Sequence, residues 1–210
     1  ALNNTANTFT SAVTVAATGT GADVSLASAS ALQATVTAND DVTLNSASTL
    51  SASITASGDA TLAATGNVTL SGGIRADSLS VQSATGSITQ NAGSTIAIAT
   101  GTATFDADDR VTLSGTGNDF GTAGLQIGNP NSRSDVTIDS PISILGPISI
   151  FGQDVTLDTT LTAGVNRNIL VSATQNFYNL QGPNALNVSG TGRWVVYIGS
   201  ARGNTYGGLD

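Results

Sequence analysis

One four-residue phrase recurs along this chain: a small polar or charged residue, then valine or alanine, then threonine or serine, then leucine or isoleucine. It reads Asp23-Val24-Ser25-Leu26, Asp41-Val42-Thr43-Leu44, Asp59-Ala60-Thr61-Leu62, Asn67-Val68-Thr69-Leu70, Arg110-Val111-Thr112-Leu113, Asp135-Val136-Thr137-Ile138 and Asp154-Val155-Thr156-Leu157. In an extended chain successive side chains point to opposite faces, so each copy sends two apolar side chains one way and a hydroxyl the other. The leading Asp, Asn or Arg closes a turn. A unit this short cannot bury its own apolar face. Repeated along a chain, it hides that face by stacking on its neighbours, which is the logic of a solenoid.

The spacing sharpens this reading. Val24, Val42 and Ala60 start successive phrases at one constant interval. Second apolar-polar alternations lie between them, at Leu32-Gln33-Ala34-Thr35-Val36 and Leu50-Ser51-Ala52-Ser53-Ile54. One coil of roughly 18–20 residues therefore carries two or three strands. Further triplets begin at Val68, Leu79, Ile88, Ile96, Ala103, Val111, Leu125 and Val136, and the drifting interval implies corners that accept insertions while strands keep register. Ile142-Ser143-Ile144 and Ile148-Ser149-Ile150 each follow a proline, Pro141 and Pro147, which at a strand start removes no ladder bond. One or two short strands are expected before residue 23, around Thr8-Phe9-Thr10 and Val13-Thr14-Val15. No apolar stripe of helical period persists, so no long helix is expected. Residues 115–124 and 158–168 have the weakest strand pattern.

Antiparallel sandwiches and parallel β-helices both use short strands with Gly and Asn turns. Sandwich cores lean on aromatic anchors, whereas only 4% of these residues are aromatic and the inward positions are Val, Leu, Ile and Ala. Aliphatic columns suit an all-β parallel β-helix, a β-solenoid, better. At the ~4.8 Å strand spacing, about ten coils would make a rod of about 45–50 Å.

Composition narrows the function classes. All 14 acidic residues are Asp and all six basic residues are Arg, with no Lys, Glu, His, Met or Cys. The missing Glu and Lys are the residues that usually coat helices. A net charge of −8 argues against nucleic acid bound through phosphates, and against a polybasic membrane contact. No apolar run approaches the ~20 residues of a spanning helix, so no membrane insertion is expected. Without Cys there is no disulfide framework or thiolate metal site. Ala1-Leu2-Asn3-Asn4 does not read as a signal peptide.

Residues 175–210 differ in character. They hold Phe177, Tyr178, Trp194, Tyr197 and Tyr206, five of the nine aromatics. Residues 1–174 read as β-helix coils, and 175–210 as an aromatic-rich terminal coil, cap or junction. A solenoid end exposes unpaired strand edges and needs either a cap or further coils.

Several passages carry a family resemblance. The Asp/Asn-Val-Thr-Leu rungs resemble the repeats of filamentous-haemagglutinin-like exoproteins, the large adhesins exported by two-partner secretion. Asn7-Thr8-Phe9-Thr10-Ser11-Ala12-Val13 and Asn118-Asp119-Phe120-Gly121-Thr122-Ala123-Gly124-Leu125 resemble a recurring Asn-x-Phe passage of that group. Gly192-Arg193-Trp194-Val195-Val196-Tyr197, followed by Gly207-Gly208-Leu209, is similar to a Gly-Arg-Trp passage late in its repeat regions. The resemblance implies a right-handed parallel β-helix on the bacterial surface, serving adhesion, biofilm formation or as a stalk. The group's amino-terminal secretion domain and toxin modules have no counterpart in the sequence, so an internal or carboxy-terminal piece of a longer exoprotein is expected.

Candidate chemistry is thin. Without His, Cys, Lys or Glu the usual nucleophile–base pairs are unavailable. The densest cluster, Asp106, Asp108, Asp109 and Arg110, sits between two strand triplets and suits a turn, with calcium or a catalytic carboxylate pair as the sharper readings. Gly115-Thr116-Gly117-Asn118-Asp119 approximates a calcium-repeat loop without a second copy and reads as a plain loop. The pairs Thr35/Thr37 and Thr102/Thr104 are too irregular for an ice-binding array, which needs them in register. Asn3, Asn67 and Asn187 match the N-glycosylation pattern in an Asn/Thr/Ser-rich chain where chance matches abound. No catalytic, cofactor-binding or metal-binding residue is assigned, and no cofactor is expected.

The expectation is therefore a non-enzymatic structural and adhesive segment of a secreted or cell-surface bacterial adhesin. Its partners would be a host or neighbouring-cell surface, extracellular polysaccharide, or copies of itself. The alternatives are a subunit of a self-assembling extracellular filament and a polysaccharide-active β-helix hydrolase or lyase. The latter needs two of Asp106, Asp108, Asp109, Asp135 and Asp154 on one groove. Recognition is expected where the rhythm breaks: 115–124, 158–168 and the stretch after Gln175.

Overall fold

Turn residues at short, regular intervals leave room only for short strands, and the computed structural model, which describes residues 1–209, contains 22 of them and no helix among those residues. Strand β1 (Val13–Ala17) precedes the first full coil. Coils 1 to 3 hold β2 (Val24–Ser28) and β3 (Leu32–Ala38), β4 (Val42–Ser46) and β5 (Leu50–Ala56), then β6 (Ala60–Ala64) and β7 (Val68–Ala76). Coil 4 holds β8 (Leu79–Ser83), β9 (Ile88–Gln90) and β10 (Ile96–Ile98), and coil 5 holds β11 (Ala103–Ala107) and β12 (Arg110–Leu113). Coil 6 holds β13 (Leu125–Ile127), β14 (Asp135–Ile138) and β15 (Ile142–Ser143). Coil 7 holds β16 (Ile148–Gly152), β17 (Val155–Leu157) and β18 (Leu161–Thr162). Coil 8 holds β19 (Ile169–Ala173), β20 (Phe177–Asn179) and β21 (Leu186–Asn187), and β22 (Trp194–Ile198) opens a ninth coil.

Every pairing between these strands is parallel, and each joins a strand to its counterpart one coil away. Face A is a nine-stranded sheet running from β2 to β22. Face B runs from β1 to β20, with β10 attached to β7. Face C is a three-stranded sheet of β15, β18 and β21. The chain is a parallel β-solenoid, as the phrase spacing predicts. The aromatic-rich stretch from residue 175 supplies β20, β21 and β22 to the same three faces. The strand expected around Thr8-Phe9-Thr10 does not form; Phe9 packs on the core from a loop.

Coil length is where the structure corrects the sequence. Val24 pairs with Val42, Val42 with Ala60 and Ala60 with Leu79, so the step from coil to coil hardly changes over this stretch. Beyond Leu79 the partners are Ala103, Leu125, Ile148, Ile169 and Trp194, and every one of these steps is longer than each of the first three. On face A the 18–20-residue coil holds for the first three steps only, although a step of that length recurs on face B from Val136 to Val155, and face A carries nine strands where about ten coils were expected. Widening begins in β7. Ala52 faces Leu70 but Ile54 faces Ile74, so two extra residues bulge around Ser71-Gly72-Gly73. Before the bulge β7 pairs with β9 through Val68–Leu70, after it with β10 through Ile74–Ala76, and a third side opens between them.

The core is a set of aligned columns. On face A, Leu26, Leu44, Leu62, Val81, Phe105, Ile127, Ile150, Val171 and Val196 stack in register. All but the last are buried. On face B, the column Leu70, Gln90, Leu113, Ile138, Leu157 and Asn179 is interrupted by two buried amides. Both are hydrogen-bonded at corners. Gln90 and Asn118 exchange amide bonds of 2.7 and 2.9 Å, while Gln90 accepts from the Gly115 N–H and Asn118 from the Ile96 N–H. Asn179 donates to the Gly182 and Tyr206 carbonyls. Burying an amide is tolerable only with such partners.

In 115–124, expected as a site of recognition, Gly115, Asn118, Phe120, Gly121 and Gly124 are buried and the residues between them are exposed. Phe120 is fully buried and meets Phe105 edge-on, with ring centroids 6.1 Å apart at 87°. In 158–168, Leu161 of β18 and Ala163 are buried, while Val165 and residues 166–168 are exposed.

Candidate functional site

The leading residue of each phrase has a definite task. Asp23 Oδ1 accepts the Asp41 N–H, Asp41 Oδ1 accepts the Asp59 N–H, and Asp59 Oδ1 accepts the Ser78 hydroxyl. A second ladder runs at the start of face B. Asn67 accepts the Ser87 N–H, Asp135 the Asp154 N–H, and Asp154 both the backbone N–H and the side-chain amide of Asn176. Each carboxylate or amide thus caps the equivalent residue one coil further on. The seven phrases split between two faces. The copies at Asp23, Asp41 and Asp59 build face A, and those at Asn67, Arg110, Asp135 and Asp154 build face B.

These ladders consume most of the candidate carboxylates. Asp109 accepts the Ser87 hydroxyl, and Arg110 pairs with Asp135 at 3.8 Å. Replacing Asp154 with alanine removes two bonds to a charged acceptor. It is expected to cost about 1.5–3 kcal/mol in equilibrium unfolding, with faster amide exchange at Asn176.

Phrase hydroxyls form straight outward rows. On face B, Ser51, Thr69, Thr89, Thr112, Thr137 and Thr156 align strand to strand, ending at Tyr178. On face A, Ser25, Thr43, Thr61, Ser80 and Thr104 do the same. Register makes single files from residues that look scattered in sequence. The Thr-x-Thr pairs do not extend into an array: Thr35 and Thr37 face Ser53 and Thr55, while Thr102 lies outside the strands, just before β11. Among the glycosylation matches, Asn67 serves the ladder and Asn187 donates to the Asn184 carbonyl.

Periodic aspartates also converge in a way that reading the chain locally does not reveal. Asp23, Asp40 and Asp41 each place a carboxylate oxygen within 4.8 Å of the others. The constant interval that stacks Asp23 under Asp41 was the available signal. Hard oxygen ligands of this kind could hold a divalent cation such as calcium. Asp23 and Asp41 are already engaged as caps, and Asp40 carries the electrostatic cost. Partial burial, then Asp41, Asp23 and Asp59, push its carboxyl above the ordinary value. Folded Asp40 therefore binds its proton more readily than unfolded Asp40, and stability falls as pH rises through that interval. Asp40→Asn is expected to raise the melting temperature at pH 7. The gain should shrink in high salt and vanish near about pH 3, where Asp40 is neutral in both states.

A concave feature lies beside the Asp106 cluster. A groove of about 520 Å³ is lined by Ala63, Gln82, Asp106 and Asp108 on one side and by Asn129, Asn131 and Arg133 on the other. Residues 128–134, which the sequence pattern did not single out, form its far wall. Asp106 and Asp108 both line it; Asp109, Asp135 and Asp154 do not.

With this geometry in place, the comparisons with known proteins can be located on the fold. A family model described as "Repeats of unknown function (DUF5649)" matches residues 71–125. The match starts at the β7 bulge and ends at the first residue of β13, so it spans the coils in which the rod widens. No curated protein and no solved structure matches the chain.

Proposed function

We propose that this chain is a structural and adhesive β-solenoid segment of a bacterial secreted or cell-surface protein, acting without catalysis. The observation that carries the reading is the pair of outward hydroxyl rows on faces A and B, held at strand spacing by the corner ladders. Such a surface offers shallow, repeated hydrogen-bonding positions to a large partner. Its partners in this reading are a host or neighbouring-cell surface, or extracellular polysaccharide. The resemblance of the rungs to filamentous-haemagglutinin-like exoproteins supports the same assignment.

A hydrolase fits the geometry less well. It needs two working carboxylates on one groove. Here both oxygens of Asp106 accept from the Asn129 amide, which leaves Asp108.

Beads coated with the purified chain test the proposal. They are expected to be retained on biofilm matrix or epithelial monolayers above beads coated with an unrelated β-rich protein. Equal retention on every surface would sink it.

A further inference from the structure

The groove of coil 6 carries an inference beyond a general adhesive surface. Between faces A and B most coils turn in two to four residues, as at 29–31, 47–49, 65–67, 84–87, 108–109, 153–154 and 174–176. Coil 6 uses seven, 128–134. This arm leaves the sheet at Gly128, whose φ is +67° and where an added Cβ would meet the Phe151 carbonyl and the Ser132 side chain. It is ordered by its own bonds. Asn129 accepts the Asn131 N–H, the Ser132 N–H donates to the Asn129 carbonyl, and the buried Ser132 and Ser134 hydroxyls meet at 2.7 Å. The Asn129 amide pins the arm to coil 5 through both oxygens of Asp106, at 3.0 and 3.2 Å.

The arm overhangs an outward column of three successive rungs, Ala63, Gln82 and Asp106, which are in register. The groove therefore runs along the rod axis. Its volume of about 520 Å³ lies within the ~300–1,000 Å³ range of ligand sites. Gln82, Asp108, Asn131 and Arg133 are exposed around it, and the one ion pair among the described residues is elsewhere, between Arg110 and Asp135.

We propose that this groove binds a strand of neutral polysaccharide laid along the rod axis, a proposal that rests on the adhesive reading above. A sugar hydroxyl both donates and accepts, and the groove answers with carboxylate acceptors, a guanidinium donor and amides that do both. Its charge, two Asp against one Arg, disfavours nucleic acid and sulfated or phosphorylated chains. No aromatic or long aliphatic side chain lines it, which disfavours lipid.

The test uses the full chain and hexamers of β-1,4-glucose, β-1,4-mannose, β-1,4-xylose and β-1,4-N-acetylglucosamine, with a heparin hexamer as the anionic arm. At least one neutral hexamer is expected to bind saturably, shifting the side-chain amide resonances of Gln82, Asn129 and Asn131. Arg133→Ala should weaken binding by about tenfold, the effect of losing one charge-assisted hydrogen bond. Ala63→Tyr, an outward substitution that fills the groove floor, should abolish it while leaving the melting temperature near that of the parent. Failure of all four neutral hexamers to bind more tightly than about 1 mM, binding confined to heparin, or binding that survives Ala63→Tyr would overturn the proposal. Bead retention separates this from the broader reading. If beads carrying the parent chain and Ala63→Tyr are retained equally, the adhesive reading stands and the groove proposal falls. If neither is retained, both fall.

Discussion

Replacing Asn118 with leucine is expected to destabilise the rod by about 2–6 kcal/mol, although the substitution adds apolar volume to the core. Asn118 Oδ1 accepts both the Gln90 amide and the Ile96 N–H. Leucine leaves two buried donors without acceptors, each costing about 1–3 kcal/mol. Leucine at both Gln90 and Asn118 should cost less than the two single changes summed, because each single change orphans polar atoms of the other residue. The Ile96 and Gly115 N–H groups stay unpartnered in the double variant, so it should remain less stable than the parent. Guanidinium unfolding of the four proteins checks the cycle, and amide exchange at Ile96 should accelerate in both Asn118 variants. An additive cycle would mean that the amide pair is not the coupling between β9 and the 115–124 segment.

Phe105→Ala should be of similar size, about 3–5 kcal/mol. Phe105 is the aromatic member of an aliphatic column, fully buried in β11. The coils above and below hold their own registers, so the cavity cannot collapse by sliding one strand. Phe120 packs its edge against the same ring. The Phe105/Phe120 cycle to alanine is expected to show a coupling of about 0.5–1.5 kcal/mol beyond their separate burial. Loss of Phe105 should also loosen residues 115–124, seen as increased exchange at Asp119, whose N–H donates to the Ile96 carbonyl. If Phe105→Ala costs less than about 1 kcal/mol, the interior at this coil is not close-packed.

These two positions also mark the limit of what local pattern conveys. The alternation of Val111-Thr112-Leu113 or Ile148-Ser149-Ile150 is enough to place a strand and to say which side chains are buried, because period two follows from backbone geometry. Nearly every triplet read from the sequence begins a strand within one residue of its observed start. Gln90 and Asn118 obey no such local rule. Both are polar, they lie on different coils, and each is acceptable in the core only because the other is there. Phe120 lies in a stretch with no strand pattern, and its burial depends on a space beside Phe105 that exists only after coils 4 and 5 have widened.

The groove was still less legible. Asp106 and Asp108 read as turn residues, and Gly128-Asn129-Pro130-Asn131-Ser132-Arg133 reads as a loop like any other. Their meeting depends on the register of β8, β11 and β13, which brings residues 82, 106 and 129 to neighbouring rungs.

Taken alone, the repeated polar-Val-Thr-Leu phrase dictates that the chain stacks, which residues face inward, and that turns come from Asp and Asn. It does so because alternation and turn chemistry are properties of a few adjacent residues. Three outcomes came only from the folded chain: the length of each coil, the division of the phrases into four on face B and three on face A, and the choice of polar groups that share a corner. Those outcomes depend on register between segments a whole coil apart. Register is set by bulges such as Ser71–Gly73 and by buried amide pairs, whose energies exist only once two coils are in contact.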